Sequence, residues 1–242
     1  MQSTENFEQQ RLGRLVGWSL LGSIVIGIAS ALFLVDGIDI NLSADVVATA
    51  ENMLEAELRL RAKAYIGVLS FALGILVSVG LFLLLRKSGQ LLAAWSLLVS
   101  LGASVLGLLG AMFAMNAAEI ASDPAYRNIT DEAQRLMLAG LQATSDYTSF
   151  HLGLILSTVG MAGFFYLFLK SNLIPKIIAG WGLFASIFVV VTIVARDFIP
   201  ILGHSTITAA FMVSNLIALV STGFYLSIRG VAKKPDQEAG IG

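Results

Sequence analysis

The chain has 242 residues, of which 57% are hydrophobic and only 13% charged, with no cysteine and a formal net charge of −1. Soluble domains average about a quarter charged residues, so much of this surface does not face water. Disulfides, thiolate nucleophiles and cysteine metal sites are excluded, and no overall basic bias points to nucleic acid.

A helix rises about 1.5 Å per residue and the hydrocarbon core is roughly 30 Å thick, so about 20 apolar residues cross it. In chain order, six stretches qualify: 15–35, 64–85, 91–115, 151–169, 177–195 and 206–228. They are continuous apolar runs rather than the alternating ten-residue pattern of barrel strands. The expected fold is therefore all-α: one polytopic transmembrane helical bundle of six spans over residues 1–242. Amphipathic helices are expected in its long loops, and residues 1–11 and 233–242 are expected to be flexible tails.

Span one follows Arg11 and Arg14 and ends at Asp36-Gly37. Its Ala29-Ser30-Ala31 triplet resembles a signal-peptidase site, which makes cleavage an alternative. The apolar run continues through Leu32-Phe33-Leu34-Val35, the length of a full span. Between spans one and two, Ser43 is a candidate cap for a helix reaching about Arg61. Val47, Ala50, Leu54 and Leu58 would form its apolar face, and Glu55 and Arg59 an i,i+4 pair.

Spans two and three are joined by the tight turn Arg86-Lys87-Ser88-Gly89. Small residues recur every four positions on both, as Ser70/Gly74/Ser78 and as Ser96/Ser100/Ser104 beside Ala103/Gly107/Ala111. Such rows let backbones approach closely in lipid, and they predict mutual contact of spans two and three. After span three, Asp131 and Gln134 have capping-box spacing, and Met137, Leu138 and Leu141 would give the following helix an apolar face.

Lys and Arg near span ends favour the cytoplasm. With the N-terminus inside, Arg11, Arg14, Arg86, Lys87, Lys170, Lys176, Arg229, Lys233 and Lys234 fall inside. Only Arg59, Arg61, Lys63, Arg127, Arg135 and Arg196 fall outside. Both termini are therefore expected in the cytoplasm, with the long segments 36–63 and 116–150 on the outer side.

No Asp, Glu, Lys or Arg stands at mid-depth in any span, and no Pro-interrupted half-helix occurs. Both features argue against an ion-coupled transporter. Asn116, Thr192 and Asn215 are the nearest polar candidates, each expected to bond a neighbouring helix. Ionisable groups gather instead at the outer span ends: Glu119, Asp146, His151, Arg196, Asp197 and His204. Two histidines and an aspartate suit zinc-activated hydrolysis. However, no His–His or His–carboxylate pair has i,i+3 or i,i+4 spacing, so no metal and no cofactor are expected, and the cluster reads as a structural network. The leading function is binding of a partner protein, a lipid or a second copy of the chain, with the bilayer as the first partner and no nucleic acid. The alternatives are a membrane-embedded hydrolase with an outer-face site and a small-molecule transporter.

The turn between spans four and five reads Lys170-Ser171-Asn172-Leu173-Ile174-Pro175-Lys176, followed by Ile177-Ile178-Ala179-Gly180-Trp181-Gly182-Leu183. This resembles the Ser-x-Leu-Ile-Pro-Arg/Lys turn and Trp-Gly-Leu of a bacterial membrane protein family catalogued as domain of unknown function 4386. The likeness extends over about residues 12–230. It takes in the acidic segment after span one, Leu58-Arg59-Leu60 and Phe150-His151. The resemblance implies a multi-pass protein of the bacterial inner membrane with unassigned activity, and it transfers no catalytic residues.

Overall fold

The computed structural model describes residues 2–40 and 45–232. Ser43 and the tail 233–242 lie outside the described residues. Among those described, the chain is helical without strands. Its helices are α1 (Gln2–Phe33), α2 (Val46–Glu55), α3 (Glu57–Leu85), α4 (Gln90–Ser122), α5 (Pro124–Ile129), α6 (Glu132–Ser171), α7 (Lys176–Arg196) and α8 (Ser205–Arg229). Short 3-10 turns occupy Arg86–Ser88 and Pro200–Gly203. Six helices, α1, α3, α4, α6, α7 and α8, are long and apolar enough to cross a membrane. The protein is an integral membrane protein with an all-α, six-span architecture.

Four of the spanning helices are far longer than the hydrocarbon core is thick. With 32, 29, 33 and 40 residues, α1, α3, α4 and α6 are about 48, 44, 50 and 60 Å long, against a core of roughly 30 Å. The helix expected after Asp131 and the fourth span are thus one continuous helix. Its start is the anticipated reciprocal capping box. The Asp131 amide donates to Gln134 Oε1 at 3.0 Å, and the Gln134 amide donates to Asp131 Oδ1 at 2.7 Å. At the other end of the chain, α1 starts at Gln2, so the backbone of 2–11 is helical.

The helix expected up to Arg61 is broken. Asp45 caps α2, accepting from the Val47 and Ala48 amides at 3.0 Å, and the helix stops at Ala56. Because α3 restarts at Glu57, Arg59 is not carried on the same helix as Glu55. Its guanidinium goes to backbone carbonyls instead.

The predicted apolar faces are buried only in part. On α2 the buried residues are Thr49, Ala50 and Met53, while Val47 and, just inside α3, Leu58 are exposed. On α6, Ala139 and Ala143 are buried, while Met137 and Leu141 point out. The reason is that lipid accepts large apolar side chains, so close packing favours small residues at helix contacts.

The described chain divides into two compact units. One comprises Met1–Ile24, Leu73–Gly102 and Ile155–Gly242, and the other Val25–Ala72 and Ala103–Leu154.

The core of the first unit gathers Val16 and Leu20 of α1, Leu81 and Leu85 of α3, Phe164, Phe165 and Phe168 of α6, and Leu226 of α8. Here Ser96 and Ser100 of the α4 serine row meet α6. A Cβ added at Gly160 would collide with Ser100 Oγ, and one added at Gly163 with Ser96 Oγ. These two serines therefore build a span three–four crossing that the sequence did not announce. Two glycines on α6 supply the room that a single row of serines does not.

The Lys170–Leu183 stretch also belongs to this unit, and its geometry explains its composition. Asn172 takes a left-handed φ of 55° that ends α6, a conformation Asn tolerates better than most residues. Ser171 Oγ accepts from the Leu173 amide, and the Leu173 carbonyl accepts from the Ala232 amide at 2.8 Å. Ile174 is 1% exposed and anchors the turn in the core, while Pro175 stands at the N-cap of α7. Trp181 Nε1 donates to the Ser214 carbonyl of α8 at 3.1 Å. Gly182 lies under the Phe165 ring, where any Cβ would overlap it.

The second unit has its own core, formed by Val35, Ile38, Met53, Ala56, Leu60, Ala117, Ala118 and Ala143. Part of the alanine row on α4 does meet α3 here, because a Cβ at Gly67 would press on Ala111 Cβ. Asn116 donates to Gln142 Oε1 of α6 at 3.4 Å, the cross-helix bond expected of it.

Candidate functional site

The most heavily charged part of the second unit is the start of α3. Arg59, Arg61 and Lys63 follow at two-residue intervals. On a helix, positions four apart share a face, whereas the intervening one points away. The structure follows this rule. Arg59 and Lys63 address the connection 34–39, and Arg61 turns to α4.

Arg59 Nε donates to the Leu34 carbonyl at 2.8 Å and Nη2 donates to the Asp36 carbonyl. These carbonyls lie just past the end of α1, where helical partners run out. Asn52 of α2 donates to the Gly37 carbonyl at 3.0 Å. The connection is thus held from above by side chains while Val35 and Ile38 are buried beneath.

Lys63 Nζ lies 3.0 Å from Asp39 Oδ2 and 2.6 Å from Asp146 Oδ2. The three side chains are only 15–16% exposed. Asp146 fits closely because α4 offers Gly110 at that level, where a Cβ would stand 2.5 Å from Asp146 Oδ1. One lysine therefore ties the α1–α2 connection to α6. On the other side of α3, Arg61 reaches Glu57 at 3.0 Å and Glu119 of α4 at 2.8 Å.

The six residues singled out by sequence are distributed as follows. Glu119, Asp146 and His151 belong to the second unit, and Arg196, Asp197 and His204 to the first. Glu119 pairs with Arg61 and Asp146 with Lys63. His151 places its ring 5.8 Å from that of Tyr147, one turn earlier on α6. Arg196 is the last residue of α7 and Asp197 its C-cap. His204 caps α8, with Nδ1 accepting from the Thr206 amide at 3.4 Å. Among the described residues, no three His, Asp or Glu side chains come together as a metal-ligating group. The cationic partners of Glu119 and Asp146 were missed by sequence reasoning, which counted Arg61 and Lys63 only toward orientation. The available signal was the alternating Arg-x-Arg-x-Lys at a span entrance.

The family model described as Domain of unknown function (DUF4386) matches residues 15–230. The chain belongs to this family. Comparison with curated proteins and with solved structures gives no match. In this DUF4386 member, the residues that carried the resemblance have structural work to do. Ile174, Pro175, Trp181 and Gly182 build the α6–α7 turn and its contacts, and Arg59 secures the end of α1.

Proposed function

We propose that this DUF4386 protein acts by binding a partner protein, a lipid or a second copy of itself, and not by turning over a substrate. The supporting observation is the way the charges at the start of α3 are used. Lys63 is held by two carboxylates, Arg61 by two more, and Arg59 by two backbone carbonyls. Such groups fix a surface in shape. A catalytic base or nucleophile instead needs a reactive atom presented to a pocket. On this reading the protein sits in the bacterial inner membrane with both termini in the cytoplasm, and the Lys63 cluster stands on the outer side.

The test is native mass measurement and elemental analysis of protein extracted without chelator into lipid nanodiscs. The reading expects a second copy, a lipid or a protein at fixed stoichiometry, with only trace metal. Near-stoichiometric zinc, lost in both His151→Gln and His204→Gln, would overturn it in favour of a membrane hydrolase.

A further inference from the structure

The two turns that flank α7 treat their apolar residues in opposite ways. At the α6–α7 turn, Ile174 is tucked into the core. At the α7–α8 turn, Phe198 is 81% exposed and Ile201 75%, with Ile199 half exposed between them. A turn facing water gains by burying such side chains, as the first turn does.

We propose that the α7–α8 turn is a membrane-seated wedge, with Phe198, Ile199 and Ile201 lodged in the boundary between lipid headgroups and acyl chains. Three observations support a lipid surface as the occupant.

The first is continuity. Phe184, Ile187, Val191 and Val194 form an exposed apolar stripe at helical spacing along α7, and Phe198 falls at its next position. The wedge prolongs a face that already meets the bilayer. The second is depth. With 21 residues, α7 is about 32 Å long, close to the roughly 30 Å of the hydrocarbon core, so the turn begins where the acyl chains end. The third is the backbone. The amides of Phe198 and Ile199 both donate to the Ala195 carbonyl, Leu202 donates to Ile199, and His204 to Ile201. Pro200 has no amide hydrogen to satisfy. With these four amides bonded internally and Pro200 lacking one, the turn enters a weakly polar layer at reduced cost.

Seated in this way, the wedge would fix the depth and tilt of α7 and α8, as interfacial anchors do. This inference goes beyond the binding proposal and does not depend on it.

The chain lacks cysteine, so single-site spin labels read it directly. Phe198→Cys and Ile201→Cys would each be labelled in the full chain. The protein would then be reconstituted into vesicles of dioleoylphosphatidylcholine with one-quarter dioleoylphosphatidylglycerol. Leu98→Cys, exposed within the apolar span α4, and exposed Asn128→Cys serve as references. The expected result is several-fold greater relaxation by oxygen than by a water-soluble nickel chelate at both wedge sites, as at Leu98. Chelate access equal to that at Asn128 would place the turn in water and overturn the proposal. Protection from both agents would place it against protein, and would overturn it equally. The two sites check each other should one label disturb folding.

Discussion

Arg59 and Lys63 hold the same short connection from the same face of α3, and Lys63 carries the heavier electrostatic role. Its removal leaves Asp39 and Asp146 facing one another with little solvent. Losing one partner of a buried ionic group typically costs about 3–5 kcal/mol. Lys63→Met should therefore lower the thermal midpoint in detergent by about 6–20 °C. Asp146→Asn, which keeps a hydrogen-bonding group and leaves the Asp39 pair, should lower it less. An unchanged midpoint in Lys63→Met would remove the cluster from the stability account. Sequence reasoning reached Asp146 and Glu119 because carboxylates beside apolar spans stand out. It did not reach their partners, since Lys63 is 24 residues from Asp39 and 83 from Asp146. No local pattern encodes a pairing over such separations.

At the scale of the helices, existence and type were legible and orientation was not. Continuous apolar runs announce spans, and the Asp131–Gln134 box was readable because capping is local. Which face turns inward depends on neighbours. The serine row of α4 shows this, since its fit with Gly160 and Gly163 exists only once α6 lies alongside. Ser100→Leu should force α4 from α6, an overpacking that costs about 1–3 kcal/mol. Gly160→Leu should do the same, and the double variant should be far from additive because both changes break one contact. Thermal unfolding of the three variants checks this. Additive losses would mean that the two residues act in separate contacts. The break at Ala56 was likewise hidden, because the periodic pattern of α2 runs on into α3 without a Gly or Pro to interrupt it.

For the molecule as a whole, composition carried most of the information. A chain with 13% charged residues and six long apolar helices belongs in a bilayer, and the DUF4386 match agrees. The distribution of charge carries the proposed orientation, and with it the proposal that the Lys63 cluster faces outward, where a partner would be met. The absence of cysteine makes this directly measurable with a membrane-impermeant maleimide on intact cells. Glu51→Cys and Asn128→Cys, exposed residues of the long connections, are predicted to react from outside. Lys87→Cys and Lys176→Cys, exposed residues at the tight turns, are predicted to react only after the cells are opened. Protection of Glu51→Cys and Asn128→Cys in intact cells, with labelling of the two turn sites, would contradict the orientation and move the cluster to the cytoplasm.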